Sequence, residues 1–111
     1  MVSNFLVEKA SMCKFRGCQR SADGTISHQT FCRDHVLQIC RERLDAASAL
    51  INTKGVAPGN IGVAREFVVE CARAAKELMA GTTDVAPLDQ ARTMEILLRV
   101  EDLSQRLLAL Y

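Results

Sequence analysis

Apolar residues recur every three or four positions along most of the chain after residue 30, and this spacing predicts three helices. The predicted helices span residues 31–54, 60–80 and 87–110, and no segment after residue 30 has the alternation of a strand. Their apolar stripes are Val36, Cys40, Leu44, Ala47 and Ile51 in the first helix, Ile61, Ala64, Val68, Cys71, Ala75 and Leu78 in the second, and Ile96, Val100, Leu103, Leu107 and Leu110 in the third.

Residues with known helix-terminal preferences lie at the ends of these segments. Thr30 and Asn60 are candidate N-caps, and Pro87 suits the first helical position. Gly55 and Gly81 are placed to end the first two helices. Helices of similar length, roughly 30 Å, joined by short loops pack as antiparallel neighbours. We therefore expect a mainly α fold built on an antiparallel three-helix bundle in up-down-up order.

The segment before residue 31 has the signals of a short β-hairpin instead. Asp23-Gly24 is a strong turn pair, and Gly17 permits a tight turn just before Cys18. We expect a treble-clef-like order, in which a knuckle and a hairpin lead directly into the first turn of a helix. Residues 1–35 would form this module, continuous with helix 1, and the whole chain would be a single compact domain.

Composition places the chain among ordinary soluble globular domains. Of its 111 residues 49% are hydrophobic and 24% are charged, with a net charge of +1. This excludes intrinsic disorder and argues against a generic, wholly basic nucleic-acid binder. No apolar run approaches the ~18–20 residues that span a bilayer, and residues 1–10 lack the shape of a signal peptide. We expect a cytoplasmic protein without membrane contact.

Four of the cysteine and histidine residues form a metal-ligand pattern. Five cysteines without a secretory signal do not suggest a disulfide framework. Cys13-x4-Cys18 and Cys32-x2-His35 are two close pairs, and thirteen residues separate them. Two such pairs, joined by a short insert, can supply the four ligands of a tetrahedral zinc ion. The prediction is one structural Zn²⁺ per chain in a closed Cys₃His site, with His28 as the alternative to His35.

These residues also resemble a known type of module. Cys-Lys-Phe-Arg-Gly-Cys-Gln-Arg at 13–20, followed by Phe-Cys-Arg-Asp-His at 31–35, is similar to the small treble-clef zinc modules of bacterial and phage proteins. The resemblance implies a structural zinc and says little about role, because such modules are attached to varied partners. The usual Gly before the second pair is absent, and Ser27-His28-Gln29-Thr30 stands there. Beyond residue 35 no family is recognised.

Outside the metal-ligand pattern, the sequence gives no indication of an enzyme. The sequence contains no Walker-type loop, no G-x-S-x-G and no H-E-x-x-H motif. Cys40 and Cys71 lie on apolar helix stripes, which favours a core role for both. A redox or zinc sensor, our third hypothesis, would require one of them to be reactive.

Basic residues concentrate toward the start of the chain. Residues 1–43 contain seven basic and four acidic side chains, whereas residues 44–111 contain seven and nine. Around the predicted metal ligands, Lys14, Arg16, Arg20 and Arg33 are candidate phosphate or anion contacts. The alternative function is therefore a regulatory module that binds nucleic acid through these residues.

The second and third helices carry more apolar residues than a small bundle core needs. Helix 2 adds Val63, Phe67 and Val69 to its stripe. Such a surplus indicates association between chains. The first hypothesis is thus a protein that binds other proteins, an adaptor or regulatory subunit that self-associates, most simply as a dimer, and has no small-molecule substrate. The candidate oligomer surface on helix 3 comprises Met94, Leu97, Leu98 and Leu108.

Overall fold

A computed structural model shows a two-stranded antiparallel hairpin followed by three helices, which confirms the predicted fold class. It describes residues 12–52, 57–80 and 87–110. The predicted stop signals Gly55 and Gly81, and the expected N-terminal features of residues 1–10, lie outside these ranges. The elements are β1 (Gly24–Ile26), β2 (Gln29–Phe31), α1 (Arg33–Ile51), α2 (Pro58–Ala80) and α3 (Pro87–Leu108).

The predicted apolar stripes form the core between the three helices. All five stripe residues of α1 are buried, and α2 buries its stripe except for the half-buried Ile61. In α3, Leu110 was wrongly included: it lies beyond the helix end and is 42% exposed, whereas Thr93 is buried. Thr93 is tolerated there because its hydroxyl donates to the carbonyl of Asp89 at 2.8 Å. Ile26 and Phe31 join the core, so the hairpin packs on the bundle.

The hairpin turn lies at Ser27-His28, not at Asp23-Gly24 as predicted. Ser27 and His28 have φ values of 53° and 65°, and two successive positive φ values define a type I′ turn. Gly24 begins β1 instead, where a Cβ would lie 3.2 Å from Glu77 Oε1. Asp23 accepts the first amide of α1, from Arg33, at 3.0 Å. The Asp-Gly pair therefore serves helix capping and close packing.

Two predicted N-caps are also corrected. Thr30 lies in β2, paired with Thr25, and its hydroxyl donates to the carbonyl of Met12 at 2.7 Å. Cys32 is the N-cap of α1, with an extended backbone at φ −67° and ψ 165°. Asn60 lies inside α2, which begins two residues earlier at Pro58, since proline is preorganised for the first helical turn.

Side chains of α2 hold the free edge of β1. Glu77 accepts the amide of Thr25 at 2.6 Å, and Glu70 accepts that of Ser27 at 2.7 Å. Between them Arg73 donates to the carbonyl of Thr25 at 2.9 Å. These groups satisfy strand atoms that would otherwise be left unpaired at an edge. As a result, the hairpin is fixed at one end of the bundle.

Polar contacts join the outer surfaces of α1 and α3. Arg99 pairs with Asp45 at 2.6 Å, and Arg106 donates to the side chain of Asn52.

Within the described ranges, none of the helices combines the length and apolar character that a membrane crossing requires.

Candidate metal centre

Three thiols and one imidazole meet where the hairpin joins α1. The ligand atoms of Cys13, Cys18, Cys32 and His35 all lie within 4.8 Å of one another. His35 Nδ1 is 3.3 Å from the sulfur of Cys13 and 3.2 Å from that of Cys32. The sulfurs of Cys18 and Cys32 are 3.9 Å apart. Tetrahedral ligands bonded to one zinc ion would be about 3.6–3.8 Å apart, so the four side chains could hold a metal ion.

The first ligand pair is set by a tight knuckle. The amide of Cys13 donates to the carbonyl of Arg20, and that of Cys18 donates to Phe15, each at 2.9 Å. The turn between the two cysteines requires Gly17, whose φ of +83° is unfavourable for other residues. A further bond, from the amide of Lys14 to the carbonyl of Thr30 at 2.8 Å, fixes the knuckle against β2.

The second pair is set by the start of α1. Cys32 is the N-cap and His35 follows three residues later, so both side chains lie on one face of the first turn. Phe15 stacks on the ring of His35, with centroids 3.8 Å apart and planes 6° from parallel. This stack orients Nδ1 toward the thiols. Sequence reasoning missed Phe15, although an aromatic residue between two knuckle ligands was a usable signal.

The thiols titrate differently because their surroundings differ. Burial opposes ionisation of Cys13, but backbone amides of Cys32 and Phe15 hydrogen-bond its sulfur and lower its pKa to about 6. Burial raises the pKa of Cys32 to about 11, and hydrogen bonds with the neighbouring thiols add to the rise. One thiolate is thus favoured while a second is opposed in the absence of a cation. A bound metal ion would supply the missing positive charge.

His28, the alternative ligand, lies away from this cluster. It is exposed in the hairpin turn, where it borders a shallow groove with Lys14, Gln29 and Thr30. The structure therefore brings His35, not His28, to the three cysteines.

Cys40 and Cys71 face each other in the core between α1 and α2. Both are fully buried, and the thiol of Cys71 donates to the carbonyl of Cys40 at 3.7 Å. The hydrogen bond with Cys40 and burial both raise the pKa of Cys71. A buried thiol of raised pKa is a poor nucleophile.

The four basic residues predicted to contact phosphate differ in their exposure and in their partners. Lys14 and Arg16 are exposed on the knuckle, while Arg33 is half-buried and its Nε has no hydrogen-bond partner among the described residues. Arg20 pairs with Asp34 at 2.6 Å. This carboxylate also pairs with Arg92 of α3 at 3.0 Å, and the hydrogen bond from Arg92 lowers the pKa of Asp34. The residue beside the ligand His35 therefore connects the module to α3.

The proposed oligomer residues divide between two sides of α3. Met94, Leu98 and Leu108 are 49%, 61% and 71% exposed, whereas Leu97 is half-buried against the core. Leu98 borders a groove between α1 and α3, together with Ser48. Leu108 borders a different groove, between α2 and α3.

Comparison with known proteins identifies no relative: no family model matches the chain, and searches of curated proteins and of solved structures find no match. The class that fold and site define is a helical bundle with a Cys₃His group able to hold a metal ion. Any functional assignment therefore depends on the geometry itself.

Proposed function

We propose that the chain is a zinc-stapled helical protein that acts by binding other proteins, as an adaptor or regulatory subunit, and not by catalysis. The observation that carries the proposal is the convergence of four ligand atoms within 4.8 Å from two separate segments. Burial and the neighbouring thiols oppose ionisation of Cys32, and a bound cation would favour its thiolate.

The ligand set favours zinc among the common metal ions. Thiolate and imidazole are soft or borderline donors, which suit Zn²⁺ far better than Mg²⁺ or Ca²⁺. Four protein donors complete a tetrahedron and leave no position for substrate or a reactive water. We therefore assign a structural role to the ion, and the three thiolates would give the bound centre a net charge of about −1.

The contacts around the site explain how one ion could order a larger surface. The metal would tie the knuckle to the first turn of α1. Asp34 then reaches α3 through Arg92, while Glu70 and Glu77 of α2 hold the hairpin. In this proposal the ion keeps the module and all three helices in the arrangement that a partner protein recognises.

Native mass spectrometry of the purified protein tests the zinc assignment. We expect one zinc ion per chain, lost in Cys32→Ser because a serine hydroxyl is a weak zinc ligand at neutral pH. Cys40→Ser is the matched control, since it makes the same chemical change in a buried cysteine outside the cluster. Wild-type protein without metal, or Cys32→Ser with full zinc, would contradict the proposal.

A nucleic-acid-binding module is the second candidate, supported by the exposure of Lys14 and Arg16 on the knuckle. The ion pair of Arg20 with Asp34 weakens it, because that guanidinium is already engaged. Binding of a labelled duplex should then fall steeply with salt and weaken on joint replacement of Lys14 and Arg16 by alanine. Salt-independent or absent binding removes this candidate.

The third candidate, a redox or zinc sensor, has less support. Its cysteines outside the cluster, Cys40 and Cys71, are fully buried. Thiol labelling of both residues in the folded protein at the rate of an exposed thiol would restore this candidate.

A further inference from the structure

A second stripe runs along the outer face of α2 and α3, outside the core. In α2 it comprises Arg65, Val69, Ala72, Lys76 and Met79, and in α3 it comprises Met94, Leu97, Glu101, Ser104 and Leu108. Both runs alternate steps of three and four residues, the spacing of a coiled-coil seam. They are neighbours in space, since Val69 and Leu108 line one groove of about 460 Å³.

The apolar members of this stripe are largely exposed. Val69 is 60% exposed and Leu108 is 71% exposed, while Met94 and Met79 are 49% and 38% exposed. Leu97 and Ala72 lie between them, half-buried against the core. A helical face with this spacing and exposure is typical of a surface that packs on further helices.

The charges within the stripe indicate which helices would cover it. The α2 stripe carries only positive charge, at Arg65 and Lys76, whereas the α3 stripe carries only negative charge, at Glu101. Lys76 and Glu101 are exposed and have no ion pair within the described part of the chain. The face is therefore complementary to a copy of itself in which α2 lies opposite α3.

We propose that this face binds a second copy of the chain about a two-fold axis parallel to the helices. The inference rests on the proposed function and names the partner. Such an axis places α2 of one copy on α3 of the other and keeps every residue at the same height. A two-fold axis across the helices would instead place α2 on α2 and oppose like charges, which is unfavourable.

The heights of the charged residues fit this arrangement. Val68 of α2 and Ser104 and Leu107 of α3 line the shared groove, from which we infer that they lie at similar heights along the bundle. Counting along the antiparallel helices from there, Lys76 is about four residues, or roughly 6 Å, from the level of Glu101. A lysine side chain covers that distance. The symmetry generates the Lys76–Glu101 pair twice in each dimer.

Charge reversal tests the pairing directly. Lys76→Glu alone would place two acidic groups at each contact, and Glu101→Lys alone would place two basic groups there. Each single variant should lower the dimer association constant by about tenfold or more. A mixture of the two should recover wild-type association, because both contacts in the mixed dimer again join opposite charges. Sedimentation velocity from micromolar to submillimolar concentration measures this.

The control is Glu95→Lys, the same change on the same helix beside the groove between α1 and α3. It should leave association unchanged, and circular dichroism should show that all variants fold. A wild-type monomer over the whole range, or a mixture no stronger than its components, overturns the inference. Zinc content of each variant by native mass spectrometry tests the proposed metal site separately, so a zinc-loaded monomer would refute only the dimer.

Discussion

Glycines at three positions of this protein have different structural roles. Gly17 has a φ of +83° with nothing within 4 Å of the Cβ position, so backbone conformation alone requires it. Gly24 has ordinary dihedral angles, but a Cβ there would meet Glu77 Oε1 at 3.2 Å and Leu78 Cδ2 at 3.3 Å. Gly62 is helical and has open space around it. The same substitution should therefore have opposite effects at different positions.

We predict that Gly17→Ala lowers the free energy of unfolding by about 1–2 kcal/mol, because a Cβ is strained at positive φ. Gly62→Ala should raise it by up to about 1 kcal/mol, because alanine favours an exposed helix position. Urea denaturation of the zinc-loaded protein compares the two. Equal effects of the same sign would contradict the assignment of Gly17 to a conformational role.

Phe15 should influence the metal through His35. Replacing Phe15 with leucine keeps an apolar group but removes the stack that orients the imidazole, so we expect zinc affinity to fall about tenfold. Phe67→Leu is the control, since Phe67 lies on α2 beneath the guanidinium of Arg43. Competition with a chromophoric chelator measures both affinities. If Phe15→Leu bound zinc as tightly as Phe67→Leu, the stack would not position His35.

At the scale of elements, the hairpin depends on its neighbours. Each strand has three residues, and a hairpin of that size is not stable alone in water. The metal cluster would hold one side of it, and carboxylates of α2 hold the edge of β1. Glu70 is the most informative of these groups, because the amide of Ser27 lowers its pKa below the ordinary value of 4.5, with help from Arg73.

Stability should therefore respond to acid through Glu70. A carboxyl whose folded-state pKa is lowered contributes stability fully above its ordinary pKa, and this contribution disappears as pH falls through the lower, folded-state value. We expect Glu70→Gln to cost about 0.5–1 kcal/mol at pH 7 and progressively less below about pH 4.5. Urea unfolding of both proteins at a series of pH values measures the difference. A difference that stays constant with pH would contradict this role.

At the scale of the whole molecule, the candidate metal centre lies at one end of an elongated body of about 55 × 28 × 22 Å. The core between the helices continues from Cys32 and Phe31 into the bundle without interruption. The ion pair of Asp34 with Arg92 reaches the second turn of α3. Order at the metal site and order in the bundle should therefore be linked.

Metal removal should reveal that link. We expect a strong chelator to lower the melting temperature by more than about 10 °C, because the free energy of metal binding is coupled to folding. Added zinc should restore the melting temperature, whereas Mg²⁺ should not. Circular dichroism during a thermal scan reports the change. An unchanged melting temperature after verified metal loss would show that the module and the bundle are independent.

The sequence alone determined the three helices and the three cysteines of the candidate metal centre, because both follow from local spacing, whereas the structure decided between His35 and His28 as the fourth residue. An apolar period of three to four residues and two short chelate pairs are visible without knowledge of the rest of the chain. The tertiary structure decided the features that depend on distant residues. Position 24 requires glycine for packing only because α2 lies against it. Asp34 connects the module to α3 only because Arg92 lies within 3.0 Å.

The same distinction applies to the outer surfaces. The sequence predicted surplus apolar residues on the third helix, but not that Leu98 borders the groove toward α1 and Leu108 the groove toward α2. Nor could it show that the stripe containing Lys76 lies beside the one containing Glu101. Helical periodicity fixes which residues of one helix share a face, whereas only the packing of helices fixes which faces become neighbours.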